Sequence, residues 1–238
     1  MSDDSSSKPA PKLPALGWAL FDSVVLWLIA YRAPQYFASE LAPFFLPLLP
    51  QAENVQNAVF YLVVEVITVA ILAIFMRVYA LKLGDLGLTR LKWNFIPKAL
   101  LGYVVYFGLT ILFLVIGQQF GLNVDEEQKL GFSEPKLYED IMIFTILVLV
   151  VPFVEELLFR GFLFRALRQR LSFVLTTLIV SALFGLAHGL IGVGIDVFAL
   201  SLVLCFLRER TQSLWPGIIL HSFKNAVAFF ILFIYNGQ

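Results

Sequence analysis

Long apolar runs, broken at short intervals by small clusters of charge, set the pattern of this chain. A helix rising about 1.5 Å per residue needs about 20 mostly apolar residues to cross a bilayer. Seven runs meet or approach that length: roughly 14–31, 57–80, 97–117, 139–160, 172–190, 194–207 and 214–235. The sixth is short, which suits a tilted or partial span. Leu41–Pro50 is apolar too, but its three prolines make it read as an interfacial or re-entrant stretch rather than a straight helix. The expected fold is all-α, a polytopic transmembrane helix bundle of seven spans, or eight if that stretch crosses. Residues 1–12 are polar and rich in Ser, Pro and Lys, and are expected to form a disordered tail. No short apolar core with a small-residue cleavage site follows them, so the first apolar run reads as a retained helix. Residues 13–238 are then a single membrane domain without an internal repeat.

Composition strengthens the membrane reading. Hydrophobic residues make up 60% of the 238 and charged residues 14%, with a mean hydropathy of +0.86. A soluble domain holds roughly 45–50% apolar and about 25% charged residues. One soluble core of this size cannot hide the excess, whereas lipid accepts it. The formal net charge is zero, which gives no electrostatic ground for a nucleic-acid partner. The single cysteine, Cys205, rules out an internal disulfide and a metal site built of thiolates.

Charge enters next as orientation. Arg77, Lys82, Arg90, Lys92 and Lys98 follow the second run; Arg160, Arg165, Arg168 and Arg170 follow the fourth; Arg208 and Arg210 follow the sixth. The loop after the third run is acidic, with Asp125, Glu126, Glu127 and Glu134 against Lys129 and Lys136. Basic loops stay on the cytoplasmic side. The expectation is a multi-pass protein with a cytoplasmic N-terminus, in the plasma membrane of a prokaryote or the endoplasmic reticulum of a eukaryote.

Ionisable residues inside spans cost about 2.5–3.5 kcal/mol each on insertion scales, so each one asks for a reason. Glu155, Glu156, Arg160, His188, His221, Lys224 and Asn225 stand out as polar groups in apolar runs, and His188 and His221 are the chain's two histidines. Glu156 and Arg160 are at i,i+4 with the acid first, the favourable order for a helical ion pair. Arg160 lies about 140° round an ideal helix from Glu155, which leaves Glu155 without a local partner and suited to general-base work. A plain salt-bridge cluster at a helix end is the competing explanation. Phe184 and His188 share one helix face, as do His221 and Asn225; interhelical hydrogen bonding is the commoner explanation of the first pair on its own and explains the second equally well. Glu155 lies sixteen residues before Leu171 and His188 seventeen after it. An antiparallel hairpin therefore sets the two at similar depth, and one polar cavity on the basic, cytoplasmic side is expected to gather the set.

At these residues the chain resembles a known family, the CAAX-prenyl-protease and bacteriocin-processing (Abi) family of intramembrane glutamate endopeptidases. The family pattern EExxxR, FxxxH and HxxxN/D is matched in order and spacing by Glu155-Glu156 with Arg160, Phe184 with His188, and His221 with Asn225. The resemblance covers roughly Asp140 to Ile234, a catalytic core of about 140–234, and Leu83–Arg90 looks like the family's preceding loop. Lys224 departs from the apolar or small residue the pattern leads one to expect. The resemblance implies metal-independent and cofactor-free peptide hydrolysis inside the membrane, on a membrane protein or peptide substrate. It implies that Glu155 and His188 activate water, that His221 and Asn225 form an oxyanion hole, and that Glu156, Arg160 and Phe184 support the site. Two histidines and a glutamate also compose a common zinc set, so a zinc-dependent membrane hydrolase is one alternative. A non-catalytic membrane immunity or scaffold protein is the other.

Overall fold

The computed structural model describes residues 27–124 and 137–235, together with Val25 and Phe132. The expected tail at 1–12, the start of the first apolar run and the acidic loop at 125–131 and 133–136 lie outside the described residues.

Seven helices and no strand are present among the described residues. A π-helical turn at Leu28–Arg32 leads into α1 (Ala33–Phe45), which closes in a 3₁₀ turn at Leu46–Leu48. Then come α2 (Glu53–Val78), α3 (Phe95–Gln119), α4 (Leu137–Arg168), α5 (Phe173–Ala187), α6 (Ile191–Thr211) and α7 (Trp215–Phe229). A last π segment, Phe230–Tyr235, extends α7. Among the described residues five helices are long and apolar enough to cross a membrane: α2, α3, α4, α6 and Trp215–Phe233. The fifth run gives only the shorter α5, of 15 residues, whereas the sixth, expected to be the short one, gives a 21-residue helix.

The Leu41–Pro50 stretch differs from its expected form. Its first half completes α1, with Pro43 inside the helix. Pro43 removes one N–H close to the helix end, where few helical bonds remain to be lost. Leu46–Leu48 then tightens the chain, with Leu49 N donating to Leu46 O at 3.1 Å. The first helix thus reaches far beyond residue 31, and the stretch is its end rather than a separate element.

The helix α4 is the centre of the bundle. Every residue of Leu157–Leu163 is buried, which for a helix means neighbours on all sides. Two π-helical segments interrupt it, Thr145–Val150 and Leu157–Leu163, on either side of the α-helical Val151–Glu156 that holds the two glutamates. Around it α5 packs along α6, and α6 packs on α3 and α7. A Cβ on Gly185 would come 2.9 Å from Gly194 O, so two glycines set how closely α5 and α6 approach.

One end of the bundle collects the basic loops. Arg168 at the end of α4 pairs with Glu209 near the end of α6 at 2.8 Å. The loop between α2 and α3 docks on the start of α7: Leu214 N donates to Gly87 O at 2.8 Å and Trp215 Nε1 to Thr89 O at 2.6 Å. Gly87 has φ +93°, and a Cβ there would meet the Arg208 guanidinium at 2.7 Å, so the tight turn and the close approach both require glycine. Leu83–Arg90 is thereby fixed to the core. At the other end Asn54 Nδ2 donates to Glu139 Oε2 at 2.8 Å, joining the starts of α2 and α4.

Candidate active site

Glu155 and Glu156 sit side by side on α4 and diverge. Glu156 Oε1 receives Arg160 Nη1 at 2.8 Å, and both residues are almost wholly buried. The same oxygen lies 3.3 Å from His221 Nδ1. Glu155 Oε2 lies 3.7 Å from His221 Nε2, longer than a hydrogen bond. Thus one imidazole stands between two carboxylates, gripped by Glu156 and facing Glu155. A Cβ on Gly217, one turn before His221, would come 2.8 Å from Glu156 Oε2. Glycine at that point lets α7 reach the buried ion pair.

Phe184 holds the pieces together from below. It is fully buried; Arg160 Cζ lies 4.5 Å from its ring centroid, and its ring meets those of His188 and His221 edge-on at 5.1 and 5.8 Å. A desolvated cation over an aromatic face gains about 2 kcal/mol. That contact serves a guanidinium whose Nε and Nη2 have no oxygen acceptor among the described residues.

His188 caps the end of α5, with its Nδ1 2.9 Å from Phe184 O. A carbonyl oxygen only accepts, so Nδ1 carries the proton and Nε2 is the basic nitrogen of the neutral ring. Asn225 is held just as specifically. Val151 N–H reaches back five residues to Ile146 O, and Pro152 has no N–H to offer. The Leu147 carbonyl therefore lacks its usual helical donor, and Asn225 Nδ2 supplies one at 2.8 Å. One amide hydrogen anchors the side chain; the second is left to serve another acceptor.

Glu155, His188, His221 and Asn225 all line one cavity of about 620 Å³. Glu156, Arg160 and Phe184 stand behind it, outside the lining. The cavity does not run toward the basic loops as expected. Its walls include α2 from Asn57 to Thr68 and α7 with its extension as far as Phe233, and so reach toward the side away from those loops. The reason lies in the docking of the basic end, where Leu86 and Leu214 close over Gly161.

Three more polar residues belong to the surroundings. Lys224 lines the cavity and pairs with Asp196 of α6 at 3.2 Å; Asp196 also accepts from Tyr106 Oη at 2.6 Å and Thr110 Oγ1 at 3.2 Å. Glu65 of α2 faces the same cavity. Sequence reasoning passed over Asp196 and Glu65, although both are carboxylates in apolar runs and the rule that selected Glu155 selects them too. Among the described residues no group of three or more His, Cys, Asp or Glu side chains is arranged to hold a metal ion. Glu155, Glu156 and His221 do meet, but Glu156 is already committed to Arg160.

Comparison with known proteins agrees with the motif geometry. Residues 138–227 match the family model described as type II CAAX prenyl endopeptidase Rce1-like. A Bacillus subtilis (strain 168) protein named "Putative membrane peptidase YdiL" is 32% identical over 77 residues, which is 32% of this chain and 32% of that protein. The match spans about a third of that relative's length. No solved structure matches the chain. The matched region runs from the start of α4 to near the end of α7 and contains all three motifs. On that basis residues 138–227 of the chain are similar to the type II CAAX prenyl endopeptidase Rce1-like family.

Proposed function

We propose that this protein is an intramembrane endopeptidase of CAAX type, hydrolysing a peptide bond with a water activated by Glu155 and His188. The observation that carries the reading is the sorting of charge around His221. Arg160 neutralises Glu156, which in turn grips the imidazole, while Glu155 is left facing the cavity beside two histidines. The family match supports the class of reaction, and the geometry supports the roles.

In this reading a water in the cavity attacks the scissile carbonyl carbon and loses a proton to Glu155, while His188 Nε2 accepts a hydrogen bond from the same water and orients it. The carbonyl oxygen becomes an oxyanion. His221 donates to it from Nε2 when that nitrogen carries a proton. The second Asn225 N–H donates beside it. The tetrahedral intermediate then collapses: the C–N bond breaks and the leaving amine takes back the proton. No metal is needed, because carboxylate, imidazole and amide supply the base and both donors. The partners are the bilayer and a membrane-embedded peptide or protein tail. The test is mass spectrometry of membrane peptides from cells carrying the wild type or Glu155→Ala. Peptide termini that arise only with the wild type support the proposal; identical peptide sets contradict it.

A further inference from the structure

The cavity holds more carboxylates than the mechanism uses. The acids Glu65, Glu155, Glu156 and Asp196 line or adjoin it. Arg160 pairs with Glu156 at 2.8 Å, and Lys224 pairs with Asp196 at 3.2 Å. That leaves Glu155, which faces His221, and Glu65. Glu65 is 9% exposed, in the middle of a 26-residue apolar helix, and has neither a hydrogen bond nor an ion pair among the described residues. Glu155 lines the same cavity. A buried carboxylate with no partner is costly, and such residues in membranes mark pathways and binding sites.

Glu65 does not stand alone on its helix. Asn57, Tyr61, Glu65 and Thr68 recur at spacings of four, four and three, and all four line the cavity. They form a polar stripe down one face of an otherwise lipid-compatible helix. The stripe starts near the end of the bundle away from the basic loops and leads to the level of Glu155. An extended peptide, with its own unsatisfied backbone groups and alternating side chains, needs a wall of this kind inside a membrane.

Resting on the protease reading, we infer that Glu65 is a specificity-determining residue whose carboxylate receives a cationic side chain of the substrate peptide, close to the bond that is cut. Among the described residues no cation pairs with Glu65: Arg160 and Lys224 are held by Glu156 and Asp196, and Arg32 donates to Gln35 of the cavity wall. A lysine or arginine on the peptide supplies the missing charge, and with it a reason for that peptide to leave the surface for the cavity. Norleucine, of similar shape without the charge, leaves Glu65 uncompensated.

The experiment uses the full chain in lipid nanodiscs with a fluorogenic peptide library in which each position is scanned with lysine, norleucine and glutamate. For the wild type, one position near the cleaved bond is expected to favour lysine over norleucine by roughly tenfold or more in KM. Glu65→Gln is expected to abolish that preference in KM, and Glu65→Lys to transfer the preference to glutamate. Equal KM for lysine and norleucine peptides at every position in the wild type overturns the inference without need of any variant. So does a uniform fall in kcat for Glu65→Gln, which points to a role in the chemistry instead. Binding of the same peptides to Glu155→Gln, followed by fluorescence anisotropy, separates the two claims. Discrimination in binding without any cleavage by the wild type leaves the Glu65 site standing and removes the protease reading.

Discussion

Arg160 is a guanidinium with no exposed surface, held by one carboxylate and by the rings of Phe184 and Phe159. Removing either member of the Glu156–Arg160 pair leaves the other charged and buried, at about 3–5 kcal/mol. Glu156→Ala and Arg160→Ala are therefore expected to melt well below the wild type in detergent. Glu156→Ala also loses the grip on His221 Nδ1 and with it activity. Wild-type melting of both variants would mean that the pair contributes nothing to the fold. The pair was legible in the sequence, because i,i+4 spacing in an apolar run admits few other readings. The anchoring of Asn225 was not. It depends on Pro152 and a π register freeing the Leu147 carbonyl, and apolar residues such as Thr145–Val150 look the same in α and π helices. The contact of His221 with both glutamates was equally hidden, since it joins helices far apart in the chain.

At the scale of elements, the two π segments bracket the glutamates and shift the faces of α4 before and after them. Such bulges recur at functional sites because they re-aim side chains without ending the helix. Helix α7 answers with glycine where it crosses Glu156. Gly217→Ala sets two effects against each other. Alanine gains about 0.5–1 kcal/mol of helix propensity over glycine. Its Cβ also presses on a carboxylate that Arg160 and His221 hold in place, 2.8 Å away. The expected outcome is a fall in kcat of about tenfold, for a displacement of the order of an ångström, with little change in melting temperature. Steady-state kinetics and calorimetry on the same preparation check it, and unchanged kcat would show that the Glu156 position is not critical. Most elements were readable from apolar run length alone. The end of α1 was not, because three prolines argue against helix, whereas only Pro43 falls within one, close to its end.

For the whole molecule, the loops after α2, α4 and α6 meet at one end, as their shared basic charge predicts for a single membrane face. Single cysteines at Lys82, Arg170 and Gln212 are expected to react with an impermeant maleimide from the same side of sealed vesicles, and from the cytoplasmic side in cells. Cys205 is buried and should stay silent. Labelling from opposite sides would break the topology. The direction of the cavity escaped sequence reasoning because it depends on how the loop at Leu83–Arg90 closes the basic end, a tertiary contact. Chelators are expected to leave activity intact, since no step of the proposed chemistry passes through a metal; inhibition by phenanthroline that zinc restores would favour the metal reading. The central claim is that Glu155 is the base. It is tested most directly by reconstituting purified wild type and Glu155→Gln in liposomes and following cleavage of one identified substrate by mass spectrometry. Glu155 shares no ion pair with Arg160, so the variant should insert and melt like the wild type yet release no product above background; cleavage at the wild-type rate by a folded Glu155→Gln protein would contradict the account.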